Sequence, residues 1–90
     1  MNRKKIDFAP FFLRKAGKLL KRNPALKEQY KIILLKIEGD PFDATLHTHP
    51  LSGDLRGKYA CSFTHDLRII FKLTSDTVHL LDIGSHDEVY

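Results

Sequence analysis

The hydrophobic residues of this 90-residue chain change their spacing once, from helical to alternating, and that switch limits what it can fold into. Phe12, Ala16, Leu19 and Leu20, then Leu26, Tyr30, Ile33, Leu34 and Ile37, recur at helical intervals. From Tyr59 onward the period is that of a strand. Tyr59, Cys61 and Phe63 alternate with Lys58, Ala60, Ser62 and Thr64, and Leu67, Ile69, Phe71 and Leu73 alternate with Arg68, Ile70 and Lys72. Pro10 suits a helix start, and the first helix is predicted to run to about Lys21. Asn23-Pro24 breaks it; Pro24 opens a second helix that Gly39-Asp40-Pro41 ends. Lys4 to Phe8 reads as a short strand at or near a sheet edge. Thr64-His65-Asp66 and Ser75-Asp76 are turns, the second leading into a strand from Thr77 to Gly84. Phe42 to Arg56 is a loop with room for one short strand.

Neither helical stripe is satisfied by the other alone, so a sheet must cover both. The predicted fold class is α+β: strand, two-helix hairpin, then an antiparallel meander of three strands, with the helices packed on one face. No linker or repeat divides residues 1–90, which are expected to form a single domain.

Charge is uneven. Residues 1–22 hold eight Lys or Arg against Asp7 alone, and residues 23–90 hold seven against ten acids, or +7 against −3. Arg14, Lys15, Lys18, Lys21 and Arg22 occupy the polar face of the first helix. Such a segment attracts RNA, DNA or an acidic protein, the structural alternative being a solvated basic face. The lone Cys61 cannot form an internal disulfide, and no stretch approaches the roughly 18 apolar residues of a membrane span. Arg14 and Lys15 interrupt Phe11-Phe12-Leu13 before it could be the core of a secretory signal. A cytoplasmic location without membrane contact is expected.

The candidate chemistry lies late in the chain. If the odd-numbered residues from Leu67 to Leu73 face the helices, Arg68 and Lys72 point to the opposite, open face, where an arginine fork matches phosphate. The structural alternative for Arg68 is an ion pair with Asp66 or Asp82. His86 follows Gly84-Ser85 at a strand end and can aim its imidazole over that face; Tyr90, four residues on, suits stacking on an unpaired base. Their alternatives are a solvated terminal histidine and an apolar plug beneath the tail. Pro50 biases His49 toward an extended backbone, making it the second candidate histidine. His47 reads as a loop residue, His65 as a turn residue, and His79 as a hydrogen-bonded strand residue. His47-Thr48-His49 offers two imidazoles to one ion, but no Cys-x-x-Cys or His-Glu-x-x-His accompanies it, so neither metal nor small-molecule cofactor is expected. Cys61 reads as core, and no glycine-rich phosphate loop is present.

His49-Pro50-Leu51-x-Gly53, Asp66-Leu67-Arg68-Ile69-Ile70-Phe71 and Gly84-Ser85-His86-x-x-x-Tyr90 together resemble the RelE/ParE toxin superfamily, and within it the YafQ-like branch. The resemblance implies a RelE-like microbial ribonuclease-type fold. It also implies the toxin of a type II toxin-antitoxin system: a ribosome-dependent endoribonuclease that cuts messenger RNA with the 2′-hydroxyl as nucleophile. His49 and His86 match the branch's catalytic histidines, Asp66 its acidic residue and Tyr90 its terminal aromatic; Arg68 matches a phosphate-stabilising arginine of the RelE side. The basic first helix, and with it Lys72, would then contact RNA through phosphates. A cognate antitoxin, acidic and partly disordered, is the implied partner. Ser62 departs from the branch, which carries a histidine there, and Leu67 from members with an aromatic. The alternative within the superfamily is a ParE-like, non-catalytic inhibitor of DNA gyrase.

Overall fold

The computed structural model describes residues 4–90. Strand β1 (Lys5–Phe8) leads into α1 (Pro10–Arg22), a turn of 3-10 helix at Pro24–Leu26 and α2 (Lys27–Gly39). Strand β2 (His49–Pro50) follows, flanked by 3-10 turns at Ala44–Leu46 and Gly53–Leu55, and then come β3 (Tyr59–Ser62), β4 (Leu67–Leu73) and β5 (Thr77–Ser85). A single turn, α3 (His86–Val89), completes the elements. The five strands form one sheet in the order β1-β5-β4-β3-β2.

Strands β3, β4 and β5 make the expected antiparallel meander, with Cys61 opposite Ile69 and Ile69 opposite Ile83. Strand β1 is an edge strand, as expected, and it pairs parallel with β5, Asp7 standing opposite His79. Parallel neighbours need a long crossover, which α1, α2 and the rest of the chain provide. The loop's short strand is β2, with His49 opposite Ala60. Both helices lie on one face. Phe12 and Ala16 of α1 and Ile33 and Ile37 of α2 pack with Cys61, Phe63, Ile69, Phe71, Val78, Leu80 and Ile83 in the main core. Leu19, Leu26, Tyr30 and Leu34 complete the helical stripes half-buried against it.

Two features differ from the sequence reading. The face opposite the helices is not open at its centre. Ile70 and Ala60 are buried there with Val89, and Leu51 packs against them. Ile70 requires this, because both neighbours of a strand residue point the other way and it must find cover of its own. The tail after Gly84 is a helical turn rather than a free end, and Val89 is the cover it supplies.

Among the described residues the second half of β5 has no strand partner on the β1 side, because β1 ends at Phe8 and the last bond across is Ala9 N–H to Leu80 C=O. A register shift between Ile70 and Phe71 bends the ladder there. Asp82 protects the exposed edge. Its Oδ1 accepts the Ile83 N–H at 2.8 Å and the Lys15 ammonium at 2.6 Å, with both side chains of the ion pair largely shielded.

Candidate active site

The end of β5 is built to turn. Ser85 Oγ accepts the Glu88 N–H at 3.4 Å, and Glu88 Oε1 accepts the Ser85 N–H at 2.7 Å, which closes a capping box around α3. The bond from the Ser85 backbone is the main cause holding the Glu88 carboxyl below the usual carboxylate range. A Cβ on Gly84 would meet Glu88 Oε1 at 2.8 Å, so the carboxylate would have to shift from its place. With Val89 directed into the apolar cluster, His86 and Tyr90 remain exposed, and at positions i and i+4 they meet edge to face, ring centroids 4.3 Å apart.

Tyr90 also borders a cleft of about 330 Å³, whose other walls are His49, Leu51, Ser52, Asp54 and Leu55. His49 Nδ1 lies 3.3 Å from the His47 carbonyl oxygen. A carbonyl only accepts, so this contact places the proton on Nδ1 and leaves Nε2 of the neutral ring as a base. His47 itself has φ 52°, in the left-handed region, where the chain reverses toward β2. Partial burial raises the Tyr90 hydroxyl pKa, opposed by the charge of Arg68, which is thus within electrostatic reach. Tyr90 therefore links the two histidines: it walls the cleft together with His49, and it meets His86, which lies outside the cleft lining, edge to face. Two imidazoles flanking an aromatic ring supply a proton acceptor, a proton donor and a flat surface.

Arg68 stands opposite Gly84 at the same end of the sheet. Its Nη1 lies within hydrogen-bond distance of the carbonyls of Thr64, His65 and Leu67, at 3.2, 3.1 and 3.0 Å. It pairs with neither Asp66 nor Asp82: the turn carbonyls hold it, and Asp82 belongs to Lys15. Asp66 lies exposed in the Thr64–Asp66 turn, just before Leu67, which pairs with Ser85; it borders the same end of the sheet without lining the cleft. His79 bonds to Asp7 at 3.0 Å and Thr74 Oγ1 at 3.3 Å, far along β5 from His86. Burial pushes the Cys61 thiol up to about 12, as suits a packed side chain rather than a nucleophile. Among the described residues no three His, Cys, Asp or Glu side chains converge as a metal site.

On α1, Arg14, Lys18, Lys21 and Arg22 are exposed, whereas Lys15 is half-buried with Asp82. Lys15, Lys18 and Arg22 line a groove of about 270 Å³ with Leu19, Ile83, Gly84 and Glu88. Lys72 is exposed on β4, opposite His79 and away from the α1 band. Sequence reasoning passes over Glu88, Asp54 and Ser52. A signal for Glu88 is present: Ser85-x-x-Glu88 is a capping-box pattern. Asp54 and Ser52 carry no pattern that separates them from ordinary loop residues.

The model of the YafQ family, described as the bacterial toxin of a type II toxin-antitoxin system, matches residues 4–90. Among curated proteins the sequence has no significant match. Among solved structures, a copper-bound mutant toxin from Helicobacter pylori is 25% identical, with a TM-score of 0.74 over 97% of this chain and 99% of that one. The toxin of the Escherichia coli DinJ-YafQ complex is 24% identical, with a TM-score of 0.73 over 98% and 99%. A YoeB/ParE toxin from Agrobacterium tumefaciens reaches a TM-score of 0.78 over 91% and 98% at 14% identity, a likeness of fold alone. With the sheet, the helix hairpin and the turn at His86 in place and the family match running from residue 4 to the last residue, the chain belongs to the YafQ family of type II toxin-antitoxin toxins.

Proposed function

We propose that this toxin is a ribosome-dependent endoribonuclease, one domain acting in the cytoplasm on messenger RNA. The observation that carries the reading is Tyr90, which shares a cleft with His49 and holds its ring against His86. One histidine takes the proton of a 2′-hydroxyl; that oxygen bonds to the adjacent phosphorus, the bond to the 5′-oxygen breaks, and the other histidine protonates the leaving oxygen. The fragments carry a 2′,3′-cyclic phosphate and a 5′-hydroxyl. Arg68 stabilises the charge gathering on the phosphorane, Asp66 orients the site from its border, and Tyr90 stacks on a base. Freeing Arg68 for phosphate means exchanging turn carbonyls for a charged acceptor, which favours the phosphate. No helix among the described residues is long and apolar enough to cross a membrane.

Arg14, Lys18, Lys21 and Arg22, with Lys72 beyond them, contact RNA phosphates without reading sequence. Lys15 contributes less, because Asp82 neutralises it. Reversing Lys18 and Lys21 to glutamate is expected to weaken ribosome binding and flatten its dependence on salt by about one unit of slope for each phosphate left without its cation. Binding measured across a salt series checks this, and an unchanged slope removes α1 from the interface.

The relative in the DinJ-YafQ complex is bound to its antitoxin. We propose a cognate antitoxin here too, acidic and partly disordered when free, settling on the basic helix and the cleft. Inhibition of DNA gyrase of the ParE kind would leave the His49–Tyr90–His86 group without a use. Induced expression in a bacterium, with mapping of messenger RNA ends for the parent and His86→Ala, tests the nuclease. New 5′-hydroxyl ends inside coding regions are expected from the parent only. Growth arrest without new ends would sink the reading and favour the gyrase alternative.

A further inference from the structure

We propose that Glu88 is a positioning residue, which through its bond to Ser85 fixes the His86–Tyr90 pair at the mouth of the cleft. A four-residue helix cannot hold itself. Its backbone closes only a single turn, ending in Tyr90 N–H to His86 C=O at 3.0 Å, and forming a first turn is unfavourable in water. Two outside ties make up the difference. Val89 anchors the turn to Ile70 and Ala60, but one buried side chain fixes a point and leaves the turn free to pivot. The capping box supplies the orientation. The Glu88 carboxylate reaches back to the Ser85 N–H at 2.7 Å and rests against Gly84, so close that no side chain fits between.

The surroundings of Glu88 point the same way. It is the one anion in a groove whose charged lining is otherwise Lys15, Lys18 and Arg22, and it does not line the cleft that Tyr90 borders. A carboxylate repels phosphate, so RNA contact gives no reason for it to be there. Holding α3 between the end of β5 and the cations of α1 does. Gly84, Ser85 and Glu88 thus act as one device, and its output is the angle at which His86 meets Tyr90.

The catalytic half of this inference rests on the nuclease reading; the structural half does not. Full-length Glu88→Ala, Glu88→Gln and Gly84→Ala proteins should be compared with the parent by NMR, following cross-relaxation between the His86 and Tyr90 rings, and by cleavage of ribosome-bound messenger RNA. Methyl signals of Val78 and Leu80 report whether the core is intact. Glu88→Ala is expected to lose the ring contact and about tenfold in cleavage rate with the core unchanged. Gly84→Ala should behave like it, because the added methyl displaces the same carboxylate. In Glu88→Gln the amide oxygen still accepts the Ser85 N–H, so ring contact and rate should stay within about twofold of the parent. Retention of the ring contact with parental cleavage in Glu88→Ala would overturn the proposal, and so would equal damage in Glu88→Gln. If the parent cuts no messenger RNA, the nuclease reading fails and the ring contact alone decides this one.

Discussion

Replacing His86 with alanine is expected to lower single-turnover cleavage of ribosome-bound messenger RNA by roughly 10²–10⁴-fold, the usual worth of a positioned acid or base. The side chain is 71% exposed, with its ring against Tyr90 and its Nδ1 3.6 Å from the Asp87 carboxylate, so the fold has little to lose. Thermal unfolding should place the variant within roughly 0.5 kcal/mol of the parent. That separation is the diagnostic. A rate loss accompanied by a comparable loss of stability would make His86 a structural residue. His49→Ala should fall in the same range, and the double variant should be little worse than either single one if both act in one step.

The second large effect concerns the core. Phe12→Ala is expected to cost about 3–5 kcal/mol, since a fully buried ring is removed and the cavity closes only in part. Phe12 packs against Phe8 at 6.0 Å and anchors α1 to the sheet. Against a total stability of about 5–15 kcal/mol for a domain, that is a large share of the whole. Phe11, one position earlier, is the internal control. It is 50% exposed, with the Lys15 ammonium 5.3 Å above its ring. Phe11→Ala should cost no more than about 1 kcal/mol. Urea unfolding of the two variants measures the contrast, and equal losses would show that α1 is seated differently.

The architecture is legible because each segment's hydrophobic period agrees with its place in the fold. Phe12, Ala16, Ile33 and Ile37 are buried where a helical stripe puts them, and Cys61, Ile69 and Phe71 where alternation does. Periodicity reports which side of an element is covered, but not by what. Ile70 falls on the face that alternation leaves open, because nothing in its own strand names Val89, 19 residues later, as its cover. The parallel pairing of β1 is hidden for the same reason, as Asp7 meets His79 across 72 positions. Among site residues, His49 and Tyr90 can be singled out by Pro50 and by position, yet their sharing of one cleft depends on the Leu51–Leu55 segment, where no period exists. Arg68 shows a further limit. Its strand position is readable, but an arginine's last three torsions are set by local acceptors, and the nearest are backbone carbonyls.

The parallel pairing of β1 with β5 also sets the order in which this protein can be completed. Synthesis yields β1 before β5, so until β5 emerges the edge strand lacks its partner and the main core lacks Val78, Leu80 and Ile83. Contacts between segments so far apart in sequence close late, because the loop entropy is lost before they return anything. Tyr90 of the cleft, and His86 with it, hang on the same strand. A polypeptide released before β5 would hold neither a finished sheet nor the turn that carries His86 and Tyr90.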